Sequence, residues 1–488
     1  MLYRSIADAL AKQIAEGVYV AGDRLPSIRD ACENFRVSIS TIQRAYWELE
    51  NRRLAEARPQ SGYYVLPRNC WPASAEVPPS ADDLPEPVTI NQGVFHLFSR
   101  QQTENFLNLG LAYPSPEFLP VTQIRRILRK LSRFHLEGIL TPDGTADVGL
   151  KLRRQLAQMM LNAGCEVNCD EVVTTAGCKD ALAFCLGAIV HRGDIVAVET
   201  PTFPGFLQLL EALGAQALEI PTDPVNGIGI DALELALEQW PIKACVLVPT
   251  CHNPVGFTMP EDRRRRLVDL AHAAQLPVIE DDIYGDLSVP TPRLRALKAY
   301  DRDGLVLYCS SVSKSMGGGL RVGWACPGKF ISEVRRLKAL HGVAENTLSG
   351  MVVTEFLASR GYERHMRRLV TQFQRVVCKM IAAIHAYFPE GTAAKVPTGG
   401  YVVWVQLPHV VDSWALYRLA LAKNILILPG RLFAASGRYR SHFRISAAVP
   451  WNQRAEDAVR CLGALVSDLV RQGRSSPHPQ KRGTVLTK

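Results

Sequence analysis

No stretch of the 488-residue sequence stays apolar for long enough to cross a membrane. The longest candidate, residues 181–190, is bounded by Asp180 and His191, whereas a membrane-spanning helix needs about 18 apolar residues. The first ten residues also lack the long apolar core of a secretory signal. These absences predict a cytoplasmic protein and argue against a membrane or secreted one.

Cysteine pairs at the spacing of metal ligands are almost absent, although the sequence contains twelve cysteines. Cys165 and Cys169 form one CxxxC, and no second Cys or His pair accompanies it. Most other cysteines, such as Cys185, Cys245 and Cys309, lie in apolar stretches, which is typical of reduced, packed thiols. We therefore predict no metal site.

The excess of positive charge is unevenly spread along the chain. The formal net charge is +9, and residues 471–488 supply five Lys or Arg and no acid. Residues 1–66, in contrast, contain nine Lys or Arg and eight Asp or Glu. Charge alone therefore does not indicate a nucleic-acid partner.

The first 66 residues have the pattern of three helices followed by a β-hairpin. Apolar residues recur at helical spacing in 3–14, a second helix follows Pro26, and a third begins near Ser38. Residues 54–66 alternate around a Pro-Gln-Ser-Gly turn, which predicts a hairpin. This order is typical of a winged helix-turn-helix domain.

A stretch rich in Pro, Ala and Ser, residues 67–87, predicts an extended or flexible linker. Beyond it, uninterrupted apolar runs alternate with helical stretches, which predicts a parallel sheet covered on both faces. The runs are 171–177, 194–200, 244–250, 277–282 and 305–311. From about residue 330, helices mix with the runs 401–407 and 443–446, as expected of a smaller α+β lobe.

Chemically distinctive residues follow these strands, where open α/β sheets bind ligands. Gly177, Cys178 and Lys179 begin a helix after the first run, and backbone N–H groups in that position can bind a phosphate. Phe203 can stack on a flat ring, and Asn253, in CHNPVG, offers an amide on a turn. Each feature is weak alone because such residues are common in loops.

The segment SSVSKSMGGGLRVGW, residues 310–324, carries the most specific pattern. Lys314 follows an apolar strand and can serve as a Schiff-base amine beside a phosphate-binding Arg321. In EDDIYGD, Asp281 places a carboxylate three residues before the phenol of Tyr284. Together these motifs indicate an anionic aromatic aldehyde cofactor.

Two other interpretations are weaker. Residues 311–314 also fit the S-x-x-K element of penicillin-recognising serine enzymes, but no S-D-N or K-T-G element is present. The basic run 263–266 is expected to be a solvated helix face rather than a DNA site.

The ordered motifs from about residue 105 to 470 resemble those of fold-type I aminotransferases that depend on pyridoxal phosphate. Residues 1–66 resemble the winged helix-turn-helix of the GntR family through LPSIRD, VSISTIQRAYWELE and QSGYYV. Their fusion resembles the MocR-type regulators. The resemblance implies a DNA-binding domain (1–66), a linker (67–104), a large α/β domain (105–330), a smaller α+β lobe (331–472) and a basic tail (473–488).

The resemblance to aminotransferases implies a role for each residue of the motifs. Lys314 is implied to form a Schiff base with the cofactor aldehyde. Asp281 is implied to keep the pyridine nitrogen protonated, because an adjacent anion stabilises the cation. Asn253 and Tyr284 are implied to bind the phenolic oxygen of the cofactor, and Phe203 to cover one face of its ring.

The same resemblance implies a phosphate site and a carboxylate site. The phosphate is implied to lie among N–H, hydroxyl and guanidinium donors of Gly177, Cys178, Lys179, Ser311, Ser313 and Arg321. Arg444, in FRIS, resembles the arginine that grips an amino acid α-carboxylate bidentately, and Gly110, in NLGLAYP, is implied to face the same carboxylate. The implied ligands are pyridoxal 5′-phosphate and an amine or amino acid.

The resemblance to GntR proteins implies a DNA surface. The second helix is implied to carry Arg29, and the third to lie in the major groove with Ser40, Thr41 and Arg44 near phosphates or base edges. Gly62 is implied to let the wing approach the minor groove. Both families imply a homodimer bound to a double-stranded operator.

The sequence departs from these families at three places. GntR relatives usually have an arginine after the Val-Ser pair, where this chain has Ile39, so the operator preference is left open. Residues 141–154 lack the aromatic that often reaches the neighbouring subunit's cofactor phosphate. Phe203 stands where tyrosine is common, which removes a hydroxyl but retains stacking.

The combined pattern predicts a transcriptional regulator whose aminotransferase-like domain senses pyridoxal phosphate, an amine or an amino acid at Lys314. The alternative is a working aminotransferase with an appended DNA-binding domain, since the residues expected for transamination, including Arg444, are present. The sequence does not name the effector or the operator, nor distinguish activator from repressor.

Overall fold

The chain forms two compact units, Met1–Trp71 and Pro72–Lys488. The computed structural model describes residues 2–15, 18–19, 23–35, 37–51, 54–58, 62–65, 85–89, 106–141, 143–289, 293–342 and 346–475. Most of the predicted linker and the predicted tail beyond residue 475 lie outside these residues. None of the helices in the described ranges is both long and apolar enough to cross a membrane.

The amino-terminal unit contains three helices and a hairpin, as predicted. The helices are α1 (Leu2–Ala15), α2 (Ile28–Phe35) and α3 (Ile39–Asn51), and the antiparallel strands are β1 (Ala55–Arg58) and β2 (Gly62–Val65). Residues 23–25 extend the hairpin, because the Leu25 N–H donates to the Tyr63 carbonyl and the Val65 N–H donates to the Asp23 carbonyl, both at 2.8 Å.

Local hydrogen bonds fix α2 and α3 in this unit. The Ser27 hydroxyl accepts from the Asp30 N–H at 3.2 Å and donates to the Asp30 carboxylate at 2.7 Å, which caps α2. The Tyr46 hydroxyl of α3 donates to the Pro26 carbonyl at 2.7 Å. Buried apolar residues from all three helices and the hairpin fill the core, among them Ile6, Leu10, Leu25, Ile42, Leu49 and Val65.

The second unit begins with two short strands, β3 (Glu86–Pro87) and β4 (Leu107–Asn108). The main sheet then adds β5 (Val173–Thr175), β6 (Ile195–Thr200), β7 (Gln216–Asp223), β8 (Gly227–Ile228), β9 (Ile242–Leu247), β10 (Val278–Asp281), β11 (Val306–Ser311) and β12 (Gly323–Cys326). The order across the sheet is β3-β7-β6-β9-β10-β11-β12-β5, and β8 pairs with β7.

The sheet is parallel through β7, β6, β9, β10 and β11, which confirms the prediction of an α/β fold. All five predicted apolar runs contribute strands to it. The antiparallel strand β12 and the strand β7 were not predicted. Parallel pairing brings the carboxyl ends of the central strands to one edge of the sheet.

Helices cover the sheet and form part of the smaller lobe. They are α4 (Val121–Phe134), α5 (Leu136–Leu140), α6 (Asp143–Asn162), α7 (Cys178–Gly187), α8 (Pro204–Leu213), α9 (Ile230–Gln239), α10 (Glu261–Ala273), α11 (Ile331–His341), α12 (Thr347–Leu357), α13 (Arg360–Tyr387), α14 (Ser413–Leu421) and α15 (Gln453–Ser475). The first three residues of the predicted tail, 473–475, therefore continue a helix.

The smaller lobe has its own sheet, built from β13 (Ala393–Ala394), β14 (Val402–Gln406), β16 (Leu428–Pro429) and β17 (His442–Ser446), with β15 (Ile425–Leu426) beside it. The two predicted runs pair directly, with Trp404 opposite Arg444. Strand β4 pairs in parallel with β15. Residues 107–108 thus join the smaller lobe, and the predicted domain bounds stay a prediction.

The basic run 263–266 lies on α10, and the expectation of a uniformly solvated face was wrong. Arg265 and Arg266 are half-exposed and pair with Glu261 and Asp231, respectively. Arg264 is fully buried. Consecutive helical residues point about 100° apart, so a run of four cannot share one face.

Arg264 fastens the loop that follows β9. Its Nε donates to the Met259 carbonyl at 2.9 Å, and one Nη donates to the Pro249 carbonyl at 2.9 Å and to the Thr250 hydroxyl at 2.8 Å. The other Nη donates to the Arg295 carbonyl at 2.7 Å. The guanidinium therefore ties the two ends of the loop 249–259 together.

We expect Arg264→Leu to destabilise the second unit by about 3 kcal/mol or more, because several buried oxygens would lose their donor. The measurement is the Tm of the full-length protein, which should fall by several degrees. Arg265→Leu removes a neighbouring, solvated arginine and should leave the Tm nearly unchanged. Equal Tm values for the two variants would contradict the fastening role.

Candidate functional site

The carboxyl ends of the central strands open into a cavity of about 330 Å³. Most of the site residues predicted from the sequence line this cavity: Cys178, Lys179, Phe203, Asn253, Asp281, Tyr284, Ser311, Ser313, Lys314, Arg321 and Arg444. Gly177 and Gly110 do not line it, but each contacts an arginine that does. Residues far apart in sequence thus meet at one place.

Lys314 lies in a one-turn helix directly after β11 and reaches into the cavity. Its Nζ donates to the Ala112 carbonyl at 2.6 Å and lies 4.5 Å from the centroid of the Tyr113 ring. Desolvation and the positive charge of Arg444 lower the pKa of Lys314 from 10.5 to about 8. A larger share of this amine is therefore neutral, and so nucleophilic, near physiological pH.

Asp281 ends β10 and is buried at the floor of the cavity. Its Oδ1 accepts from the Cys178 thiol at 3.3 Å and from the Ile283 N–H at 3.1 Å. Burial raises the pKa of Asp281 to about 6. Among the described residues no cation forms an ion pair with this carboxylate, so a cationic ligand group would stabilise its charged form.

Donors for an anion converge at the start of α7. Gly177 has a φ of 112°, and a Cβ there would lie 2.9 Å from an Nη of Arg321. Only glycine therefore lets the Arg321 guanidinium approach the helix N-terminus. Nearby, at the end of β11, the Ser313 N–H donates to the Ser311 hydroxyl oxygen at 3.2 Å, which leaves the Ser311 proton available to a ligand.

A buried arginine forms another wall of the cavity. Arg444, in β17, donates from one Nη to the Asn253 side-chain oxygen at 2.8 Å and from the other to the Gly110 carbonyl at 2.5 Å. Its Nε has no hydrogen-bond partner among the described residues. Burial lowers the pKa of Arg444. A buried guanidinium held only by neutral oxygens is suited to binding a carboxylate.

Aromatic rings complete the cavity. Phe203 packs edge-on against Phe206, with ring centroids 5.6 Å apart, and its ring covers Gly205, where a Cβ would collide with it. Tyr284 is buried and packs edge-on against Tyr401. Burial raises the pKa of the Tyr284 phenol, so this group remains a neutral hydrogen-bonding hydroxyl.

Three residues at or beside this cavity were not predicted from the sequence. Tyr113 lines the cavity and is 46% exposed. The Ala112 carbonyl accepts from both Lys314 and the Tyr401 hydroxyl, the latter at 3.0 Å. Tyr113 and Ala112 belong to NLGLAYP, the motif in which only Gly110 was selected. Nothing in the local sequence marks Tyr401, which precedes a strand of the smaller lobe.

These features fit pyridoxal phosphate. In the described part of the chain no cation forms an ion pair with the buried Asp281 carboxylate, and a protonated ring nitrogen would supply one. The α7 N-terminus and Arg321 offer N–H donors around a glycine that a Cβ would obstruct. The Lys314 amine lines the same cavity, as an amine that reacts with the cofactor aldehyde requires.

The amino-terminal unit contains the predicted DNA-contact residues in different settings. Arg29 on α2 and Arg44 on α3 are exposed. The Thr41 hydroxyl lies 2.9 Å from the Ser38 hydroxyl at the start of α3. Ser40 belongs to α3, and its side chain lies outside the described part of the unit.

Gly62 begins β2 with a φ of 108°, a conformation that favours glycine. A Cβ there would lie 3.1 Å from the Arg24 Nε, so the Arg24 side chain rests on the wing. Arg24 is exposed and was not singled out from the sequence. Its pairing with the wing is a long-range contact that helical or strand periodicity does not reveal.

Comparison with known proteins shows which families the two units of the chain resemble. Residues 113–462 match aminotransferase class I and II, and residues 2–65 match the bacterial regulatory proteins of the gntR family. Over 466 residues the chain is 37% identical to YjiR of Escherichia coli (strain K12), described as an uncharacterized HTH-type transcriptional regulator. The match covers 95% of this chain and 98% of YjiR.

Two solved structures are similar to the second unit. Kynurenine aminotransferase of Pyrococcus horikoshii, in complex with PMP, has a TM-score of 0.70, 27% identity, and coverage of 77% of this chain and 94% of its own. LysN, the alpha-aminoadipate aminotransferase of Thermus thermophilus, is complexed with N-(5′-phosphopyridoxyl)-L-leucine. It has a TM-score of 0.71, 26% identity, and coverage of 78% of this chain and 98% of its own.

The relatives and the two matched domains agree with the resemblance drawn from the sequence. Fold-type I aminotransferases use pyridoxal 5′-phosphate, which is the cofactor that the family implies. The chain therefore belongs to the MocR-type transcriptional regulators, in which a gntR-family helix-turn-helix domain is joined to an aminotransferase class I and II domain.

Proposed function

We propose that the protein binds pyridoxal phosphate in this cavity, responds there to an amino acid, and controls transcription through its helix-turn-helix unit. The observation that carries the proposal is the meeting of Lys314, Asp281 and Arg444 in one cavity of a chain that also contains a DNA-binding domain. The cavity offers separate groups for the aldehyde, the ring nitrogen and a carboxylate.

Each of these groups has a defined task in the proposal. Pyridoxal phosphate supplies, when bound, an aldehyde for amines and a ring that withdraws electrons. The Asp281 carboxylate accepts a hydrogen bond from the ring N–H and keeps the proton there. Arg321 and the N–H groups at the start of α7 hold the phosphate, and Ser311 and Ser313 add hydroxyl donors.

The effector is proposed to be an amino acid with one carboxylate that reaches Arg444. Its carboxylate would take the unpaired Nε and compete with the Asn253 and Gly110 oxygens for the two Nη groups. The apolar side chains of Leu111, Leu428 and Leu432 line the same cavity and favour an apolar effector side chain. The leucine adduct bound by LysN is consistent with that choice.

A working aminotransferase is the second candidate, and the presence of both Lys314 and Arg444 in the cavity favours it. Transamination needs turnover, whereas a sensor needs only an altered occupancy of the cavity. Conversion of an amino acid and a 2-oxo acid at about 1 per second or faster would support the enzyme. Binding without turnover would support the sensor.

We expect Lys314→Ala to abolish the covalent cofactor that borohydride reduction fixes in the parent protein, because Lys314 supplies the amine. Intact-mass measurement of reduced protein checks this. Lys329→Ala removes an exposed lysine outside the cavity and should retain the mass increase. Covalent cofactor retained in Lys314→Ala would refute the assignment of the amine.

The uptake of pyridoxal phosphate by cofactor-free, full-length protein should accelerate as the pH rises, with a midpoint at a pH of about 8, because only the neutral Lys314 amine attacks the aldehyde. Stopped-flow absorbance measures this rate. Arg444→Gln removes a positive charge that lowers the pKa of Lys314, so the midpoint should move to higher pH. A parent midpoint near 10.5, unchanged by the variant, would contradict the electrostatic argument.

We expect Arg44→Ala to weaken DNA binding and to lower the slope of log affinity against log salt by about one, the change for one lost phosphate contact. Selection of genomic fragments by full-length protein at near-physiological salt measures specificity. The parent should recover discrete sites that the variant recovers poorly, and the cofactor spectra should be identical. The same unselective recovery by both proteins would argue against the regulator and for the enzyme.

A further inference from the structure

Helix α3 carries an exposed stripe with an unusual composition. Ile39 and Trp47 are each 60% exposed, and Gln43 between them is also exposed. A spacing of four residues places these three side chains on one side of the helix, and we call them the Ile39 stripe. An adjacent side of the helix is packed in the core through Ile42 and Leu49. The exposed side therefore combines two apolar side chains with one amide.

The surroundings of the Ile39 stripe are those of a DNA surface. Arg44 is exposed on the same helix, and Arg29 is exposed on α2. Both can contact phosphates and so orient α3 in the major groove. Eight residues of helix rise by about 12 Å, which is close to the width of that groove. The stripe can thus cross the groove from Ile39 to Trp47.

The chemistry of the first two residues of the stripe selects a base pair. The methyl group of thymine is the apolar feature of the major groove, and a glutamine can bond adenine at N6 and N7 at once. Ile39 has no donor for the O6 and N7 acceptors of guanine. Ile39 and Gln43 are about 6 Å apart along the helix axis, so their contacts fall within neighbouring base pairs.

We propose that Ile39 and Gln43 make the operator of this protein A·T-specific, with Ile39 against a thymine methyl and Gln43 on an adenine. This inference rests on the proposed function, since it requires that α3 binds DNA. Trp47, at the far end of the Ile39 stripe, packs against the rim of the groove. The protein thereby reads its operator without an arginine at the start of α3.

Selection from random duplexes with the full-length protein tests the inference. The parent should enrich a motif with A·T pairs at its centre of contact. Ile39→Arg should change one position in each half-site to G·C, because arginine bonds guanine at O6 and N7. Gln43→Ala should relax the adjacent position. Val18→Ala removes an equally exposed apolar residue outside α3 and should leave the motif unchanged.

A second measurement isolates the methyl contact. Replacing the contacted thymine by uracil should weaken binding of the parent about fourfold, the contribution of one buried methyl group. The same replacement should have no effect on Ile39→Ala, which has lost the contact. An equal effect of uracil on both proteins, or an unchanged motif for Ile39→Arg, would overturn the role of Ile39.

The outcomes separate this inference from the proposed function. A discrete motif with G·C pairs at the positions altered by these variants would still support a transcriptional regulator. It would reject the proposal that Ile39 and Gln43 recognise A·T pairs. Uniform binding to all duplexes by the parent would reject the regulator, and the inference with it.

Discussion

The cavity depends on the loop 249–259, and this loop depends on the guanidinium of one fully buried arginine. Arg264 donates to oxygens from both ends of the loop, and the nearby carboxylates of Glu280 and Asp282 stabilise its charge. The loop holds Asn253 against Arg444, and Arg444 holds the carbonyl of Gly110. A line of contacts therefore runs from α10, through Arg264 and the loop, to Arg444 in β17 of the smaller lobe. Two buried arginines share this line, but only Arg444 keeps a free donor for a ligand.

The electrostatics of the cavity follow from an excess of cations over acids. Four cations, Lys179, Lys314, Arg321 and Arg444, line it, whereas Asp281 is the acid among its described lining residues. Desolvation and the positive charge of Arg444 lower the pKa of Lys314, and burial raises the pKa of Asp281. The phosphate of pyridoxal phosphate would compensate Arg321, and its ring nitrogen would compensate Asp281. The carboxylate of an amino acid would compensate Arg444.

Local patterns in the sequence were sufficient for the α/β class, for five strands of the main sheet and for the residues at their ends, because each of these strands is apolar and ends at a motif. They did not reveal β12, a short strand that begins at Gly323 inside the lysine motif. Burial of Arg264 was also missed, since its four-residue run resembles a solvated face. Tyr113 lines the cavity, and Tyr401 contacts its lining residues Ala112 and Tyr284, through contacts between distant segments that periodicity does not encode. The predicted roles of the cavity residues await the variants described above.

The segment 106–113 contacts both a strand of the smaller lobe and two cations of the cavity. It pairs with β15 through Leu107 and Asn108, and its carbonyls at Gly110 and Ala112 accept from the Arg444 and Lys314 side chains. Any molecule that occupies those two cations must compete with this backbone for its donors. A ligand bound to Lys314 and Arg444 would therefore compete with two of the contacts that hold segment 106–113, while its pairing with β15 would remain.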